Sequence, residues 1–318
     1  MEIISMLNFN HLRSFYQAAK LLNITNAAKS LYVSQPAVTH QVKQFEQYCK
    51  FRLFKKKGNN IHLTDEGQII FQHVMKIFEM EKNLQQCIED IHGKKGGCLH
   101  IGSVRIYSER LIPILLKKFH SVYHGIKIQL DEGNSLEIFK NLLSYKDSVA
   151  IVSEIMDDPD VDLIPLFQEE LVLVSAPSYP LNKRKRVLAQ ELIREPIILK
   201  EVGSGVRKLV DDFFGKEKEN LNVIVEANNM ELIKEMVKSG NGVAFMIKGT
   251  ITNELKAKDL SIIPIENQRL FLPMYLAYLV NHPLSLTAKL FIDFVKSYLD
   301  PDDQLPPIET FLSRILES

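Results

Sequence analysis

The chain has 318 residues, 46% of them hydrophobic, with 39 acidic and 39 basic side chains. That length predicts two or three domains with ample core, and no apolar run is long enough to span a bilayer. The opening MEIISMLNFNHL lacks the basic start and small-residue cleavage site of a secretory signal, so a cytoplasmic location is expected; Cys49, Cys87 and Cys98, far apart and odd in number, suit reduced thiols better than disulfides or a metal cluster.

The neutral total hides an asymmetry. Residues 1–64 carry nine Lys/Arg against Glu2 and Glu46, a net +7, which leaves −7 on the remainder. A basic module on an acidic body reads as a polyanion-binding head. In that head, Leu12, Phe15, Tyr16, Ala19 and Leu22 share one face of a helix expected over 11–22. A second helix is expected over 25–31, with Thr25 as N-cap and the small Ala27 and Ala28 letting a neighbour approach. After the turn Tyr32-Val33, Ser34 is a good N-cap for a third helix, and Pro36 is tolerated in the first turn, where an N–H has no intrahelical partner. Val38, Val42 and Phe45 recur at i, i+4 and i+7 as a buried stripe. The opposite face offers Gln35, Thr39, His40 and Lys43, donors and acceptors of the kind that read base edges in a major groove. The layout is a helix-turn-helix, whose second helix enters that groove. Residues 51–63 read as strand, turn at Gly58-Asn59-Asn60, and return strand. This is a wing, whose Lys55, Lys56 and Lys57 reach phosphates or the minor-groove edge, each phosphate contact adding about 0.9 to the salt slope of binding.

From 64 to 91 there is no proline, and Gly67 is the only glycine. Thr64 is a natural N-cap, and Asp65 and Glu66 suit the helix dipole. Ile70, Val74, Ile77, Leu84, Ile88 and Ile91 follow alternating spacings of four and three, with Glu81 at the one polar position. The expectation is a heptad seam pairing two chains, because a two-fold reader engages two half-sites. Phe71, Met75 and Phe78 form a second stripe that would pack on the head. His92-Gly93-Lys94-Lys95-Gly96-Gly97 then breaks the helix as a hinge-like connector.

Beyond 97, strands and helices alternate. Strands are expected at 98–104, 126–131 and 148–153 with helices at 109–119 and 135–143. A second run places strands at 171–176, 196–199, 222–226 and 243–247 with helices at 205–214 and 230–239. A return strand at 274–280 and a helix at 286–299 follow. These form two α/β units with mostly parallel sheets and a cleft between them, where strand C-termini and helix N-termini converge. In the loop Glu201-Val202-Gly203-Ser204-Gly205-Val206-Arg207, Gly203 and Gly205 free the backbone so that N–H groups can point at an anion. A plain turn and helix cap is the competing reading, and Arg207 either joins the site or pairs on the surface. Ser103, Tyr107, Ser108, Asn134, Ser135, Asn228 and Asn229 are cleft candidates by their position after strands, and each reads equally as a cap for the helix it precedes. In the tail, Asp300-Pro301-Asp302-Asp303 and Pro306-Pro307 stop the previous helix. Ile308, Phe311, Leu312, Ile315 and Leu316 then form an amphipathic stripe that patches an oligomer contact or covers its own lobe.

NAAKSL, VSQPAV, the RLF triplet and LTDEG resemble the winged helix-turn-helix of LysR-type transcriptional regulators, strongly through the head and long helix and more loosely beyond. The resemblance implies an α+β multidomain chain: a winged helix-turn-helix domain (1–63), a linker and dimerisation helix (64–92), a hinge (93–97), and a two-lobed α/β effector-binding domain of periplasmic-binding-protein type (98–300). Lobe I would take residues 98–167 and 276–300, lobe II residues 168–275, and 301–318 is an extension that departs from the family. It implies DNA contacts at Ser34, Gln35, Pro36, Thr39, His40, Lys43 and the wing lysines, with His40 where many members carry Arg and Thr39 where many carry Ser. Partners would be double-stranded DNA, a second copy, a homotetramer and RNA polymerase, with no membrane. A small-molecule effector, an anionic metabolite, would close the cleft through differential affinity for two states. No metal or cofactor is expected. An enzyme is disfavoured by the absence of HExxH, GxSxG, a full GxGxxG and a Walker loop, and a solute-binding module would not need residues 1–64.

Overall fold

The computed structural model describes residues 6–57, 60–91, 96–153, 157–266, 268–303 and 305–317. The chain divides into two compact units, Met1–Gln86 and Cys87–Ser318. Three helices open the first: α1 (Phe9–Leu21), α2 (Ile24–Ser30) and α3 (Gln35–Cys49). Their starts are set by side-chain caps. Asn8 accepts from the Asn10 and His11 N–H groups, Asn23 from Asn26, and Ser34 from Ala37. Asn23, not Thr25, therefore caps the second helix, and Leu22, expected in the buried face of the first, is its exposed left-handed C-cap. Val38, Val42 and Phe45 are buried as the spacing predicts, the two valines against Ala27 and Ala28 and the ring against Phe15.

Strands β1 (Phe54–Lys57) and β2 (Asn60–Leu63) pair antiparallel, Phe54 opposite Leu63 and Lys56 opposite Ile61. The expected turn residues Gly58 and Asn59 lie outside the described residues. Helix α4 (Asp65–Ile91) follows, with Thr64 Oγ1 accepting from the Gly67 N–H at 2.9 Å. Here the heptad reading needs correction. Val74 is 3% exposed inside the head core, and Ile70 packs against the same cluster with Phe71 and Phe78. Glu81 pairs with Arg13 of α1 instead of occupying a seam. Ile69, Ile77, Met80, Leu84 and Ile88 are left exposed, and at 100° per residue they fall within one arc of α4. Of the expected hinge 93–97, residues 93–95 lie outside the described residues, and the Gly97 carbonyl accepts from the Lys127 N–H at 2.9 Å.

The second unit contains β3 (Cys98–Val104), α5 (Ile112–Val122), β4 (Lys127–Gly133), α6 (Ser135–Leu143), β5 (Val149–Ser153) and the long β6 (Val161–Ser175). Then come α7 (Ala189–Leu192), β7 (Ile197–Lys200), α8 (Gly205–Phe214), β8 (Val223–Ala227), α9 (Met230–Lys238), β9 (Val243–Ile247), α10 (Thr252–Ala257), β10 (Ser261–Ile263), β11 (Leu270–Leu279), α11 (Leu286–Lys296) and α12 (Ile308–Glu317). Pro113 in the first turn of α5 delays it beyond the expected start at 109. Strand order is β4-β3-β5-β11-β6-β9-β7-β8, with β10 on β6. The trios β4-β3-β5 and β9-β7-β8 are parallel, and each belongs to one lobe. Between them β11 and β6 run antiparallel and cross from lobe to lobe.

Those crossing strands are longer than the sequence predicts. Pro165 and Pro273 interrupt both apolar runs, and a proline demotes a strand because it cannot donate to the ladder. In the structure Pro273 stands opposite Gln168 and Pro165 opposite Tyr275, with a register shift between Met274 and Tyr275. The ladder is thus weakest where the chain passes between lobes. Met274 already pairs with β5, so the return crossing lies at Pro273, ahead of the expected boundary at 275/276. The tail resolves its two readings in favour of its own unit. Ile308, Phe311 and Ile315 are fully buried in the body core, and Arg314 pairs with Asp300 and Asp303. Among the described residues no helix is long and apolar enough to cross a membrane.

Candidate functional site

On the head, α3 presents Ser34, Gln35, Pro36, His40 and Lys43 as exposed residues, with Thr39 half-buried. Gln35 Nε2 donates to Thr39 Oγ1 at 2.9 Å, and Thr39 Oγ1 donates to the Gln35 carbonyl at 3.0 Å. The two side chains therefore present one polar edge in a fixed rotamer pair. Glu46, on the buried side of α3, accepts from the Leu53 N–H at 2.8 Å, the Phe54 N–H at 3.3 Å and Arg52 at 2.8 Å. That carboxylate ties the start of the wing to the recognition helix. Lys55 and Lys56 are exposed on β1, and the Lys57 side chain lies outside the described residues. Tyr32, left-handed at φ 56° and 95% exposed in the turn before Ser34, is a surface group that reading by stripe overlooks.

In the body, a cleft of about 520 Å³ opens between the lobes. Of the expected residues it brings together Tyr107, Asn134, Ser135, Ser204, Gly205, Asn228 and Asn229. Three do not line it. Ser103 is fully buried, its Oγ donating to the Val104 carbonyl. The Ser108 Oγ is enclosed without a hydrogen-bond partner among the described residues. Gly203 instead joins the lobes: at φ +91° it holds a left-handed conformation, and its carbonyl accepts from the Leu136 N–H of α6 at 3.0 Å. Gly205 has a different reason. A Cβ there would lie 1.9 Å from Ser153 Oγ, so its absence lets the first turn of α8 close onto β5 of the other lobe. Ser153 in turn shares a 2.9 Å hydrogen bond with Ser135.

The helix N-termini facing this cleft differ. Asn134 closes a capping box with Glu137 on α6, and Asn229 accepts from Glu231 and Leu232 on α9. Among the described residues Ser204 makes no side-chain cap on α8, so its side chain leaves the first N–H groups of the helix uncapped. Sequence reasoning missed the cations. Arg105, Arg110, Lys200 and Lys234 all line the cleft. Arg110 is held by Glu169 at 3.1 Å, and Lys234 by Glu231 and Glu254. Lys200 donates to the Asn228 carbonyl, and burial, with Arg105 nearby, pushes its pKa down while Glu201 opposes. Arg105 has no ion pair among the described residues. Lys200 ends β7, and position at a strand C-terminus was the signal that could have found it. Arg207 does not line the cleft: it is bonded to Asp211 at 2.9 Å, Glu226 at 2.6 Å and the Lys200 carbonyl at 3.2 Å, and so favours the pairing reading.

Residues 9–68 match the family described as bacterial regulatory helix-turn-helix protein, lysR family, and residues 92–300 match the LysR substrate binding domain. The chain is 29% identical over 281 residues to the HTH-type transcriptional activator CmpR of Synechocystis sp., covering 88% of this chain and 92% of that protein. The effector binding domain of QuiR, solved with shikimate, is 26% identical with a TM-score of 0.55, covering 62% of this chain and 94% of that domain. The regulatory domain of CcmR from Synechocystis PCC6803, solved with 2-PG, is 26% identical with a TM-score of 0.56, covering 64% and 98%.

Proposed function

Because the chain belongs to the LysR family of transcriptional regulators, with a DNA-binding head and an effector-binding body, we propose that the effector is a small anionic metabolite held between α8 and the cations Arg105 and Lys200. The observation that carries this reading is the α8 N-terminus, where the Ser204 side chain leaves the first N–H groups uncapped. Asn134, Ser135 and Asn228 lie within reach to orient a polar ligand. Shikimate, bound by QuiR, carries a carboxylate, and 2-phosphoglycolate, bound by CcmR, a carboxylate and a phosphate. Both ligand chemistries suit such a site.

On DNA, Ser34, Gln35, Pro36, Thr39, His40 and Lys43 face the major groove, and Lys55, Lys56 and Lys57 contact the backbone beside it. The working form is a homodimer through α4, assembled into a homotetramer in the cytoplasm and acting with RNA polymerase. Domain limits near 63, 92 and 97 belong to the same reading. Titration calorimetry with shikimate and 2-phosphoglycolate tests the body. Ser204→Ala and Lys200→Gln should each weaken the ligand that binds by about tenfold, the worth of one charge-assisted hydrogen bond. Gel shifts with genomic fragments test the head, where His40→Ala should narrow the gap between specific and bulk DNA by about 1–3 kcal/mol. Effector affinity untouched by either cleft change would move the anion site elsewhere.

A further inference from the structure

Helix α12 lies beyond the matched family region, which ends at residue 300. The helix packs against α5 and β6, and with the residues just before it reaches three consecutive residues of β6. Phe311 stacks on Phe167 with ring centroids 5.5 Å apart, and Phe167 meets Tyr107 edge-on at 5.2 Å. Tyr107 is fully buried, lines the cleft, and has a hydroxyl without a hydrogen-bond partner among the described residues. Next along the strand, the Gln168 N–H donates to the Pro306 carbonyl at 2.8 Å. Gln168 stands opposite Pro273, close to the register shift between Met274 and Tyr275. Glu169, 4% exposed, then holds the cleft residue Arg110, and Glu309 of α12 is close enough to oppose the charge on that carboxylate.

We propose that residues 305–317 position Tyr107 and Arg110 in the cleft through Phe167, Gln168 and Glu169, so that effector affinity depends on how the C-terminal helix is docked. The proposal rests on reading the cleft as the effector site. It explains why one segment supplies a ring, a carbonyl and a carboxylate to the strand that crosses between lobes. Among the described residues, Arg110, Tyr107 and Glu309 are the titratable groups that act on Glu169. Burial holds the Glu169 carboxyl at about 7, with Arg110 pulling it down and Glu309 pushing it up. As pH falls through that range, Glu169 takes up a proton and Arg110 loses its counter-charge, which frees the guanidinium for an anion.

Two measurements on the full chain test this. The first is hydrogen exchange without ligand. Phe311→Ala, or Phe311→Leu should the alanine variant not fold, should speed exchange at residues 104–111 about tenfold while β7 keeps its protection. Unchanged exchange at 104–111 overturns the proposal. The second follows 2-phosphoglycolate binding from pH 6 to 8, the probe's own titration being common to all variants. Affinity should rise as pH falls, and Glu309→Gln should move the midpoint down by about half a unit. An unmoved midpoint overturns the coupling through Glu169. If no anion binds the unaltered protein at any pH, the effector reading fails, and the exchange comparison still decides the role of α12.

Discussion

Glu46 and Asp147 are both buried carboxyls, and their surroundings treat them in opposite ways. Glu46 meets two backbone N–H groups and Arg52, so its negative charge is matched by donors. Asp147 is 2% exposed beneath Gly102 of β3 and faces Asp131 of β4, with the charge of Lys146 giving partial relief. Burial, then the neighbouring carboxyl, pushes Asp147 up to about 7, while Lys146 holds Asp131 below the usual carboxylate range. Both Asp147 oxygens are enclosed without a hydrogen-bond partner among the described residues, so no donor in contact offsets the cost of ionising the group. The sign follows from linkage. An acid whose folded pKa lies above its unfolded one costs nothing at pH 4, costs progressively more as pH rises to about 7, and levels off above that. Asp147→Asn should therefore gain stability over the unaltered chain between pH 4 and 7, reaching on the order of 2–4 kcal/mol. Urea denaturation across that range measures it, and a difference independent of pH would refute the assignment.

At the scale of elements, α4 shows how one helix serves two partners. Its inner face gives Val74 and Phe78 to the head, where each buried side chain stabilises by about 1.5–3 kcal/mol. The outer arc, with Ile69, Ile77, Leu84 and Ile88, stays exposed. A stripe of that length on a water-facing helix is what a second copy would bury. Leu84, 61% exposed, is the cleaner probe than Val74, whose replacement would damage the head itself. Sedimentation should find Leu84→Glu shifted from dimer to monomer with the head's melting unchanged, and a persistent dimer would place the seam elsewhere. Helix α8 follows a related logic. Gly205 admits its N-terminus to β5 and Gly203 turns the chain into it, so a short loop seats one lobe on the other.

For the whole molecule, the charge split separates two tasks. A head with net +7 is drawn to a polyanion, and a body with net −7 is repelled by it. Replacing Lys55 and Lys56 together with Gln should lower the salt slope of DNA binding by about 0.9 per lost phosphate contact. The proposed anion binding in the cleft should stay the same by calorimetry, because those lysines belong to the other compact unit. A slope that does not change would mean the wing is off the DNA. Effector control then requires that the ligand favour one arrangement of the lobes over another, and β6 and β11 are the strands that connect the lobes.

The helix-turn-helix, the wing and the alternating α/β body were legible because local rules govern them. Caps such as Ser34, the Val38–Val42–Phe45 spacing and the strand-then-helix rhythm need only neighbours a few residues apart. The same rules misread β6 and β11, since Pro165 and Pro273 look like strand ends until a partner strand supplies the ladder around them. They assigned Val74 to a seam because periodicity identifies an apolar face without saying what covers it. They could not find Arg105 or Arg110, nor the seat of α12 on Phe167. The cleft and its back wall are made by contacts between residues far apart in the chain, such as Arg110 with Glu169 and Phe167 with Phe311, and only chain closure in three dimensions decides which side chains meet there.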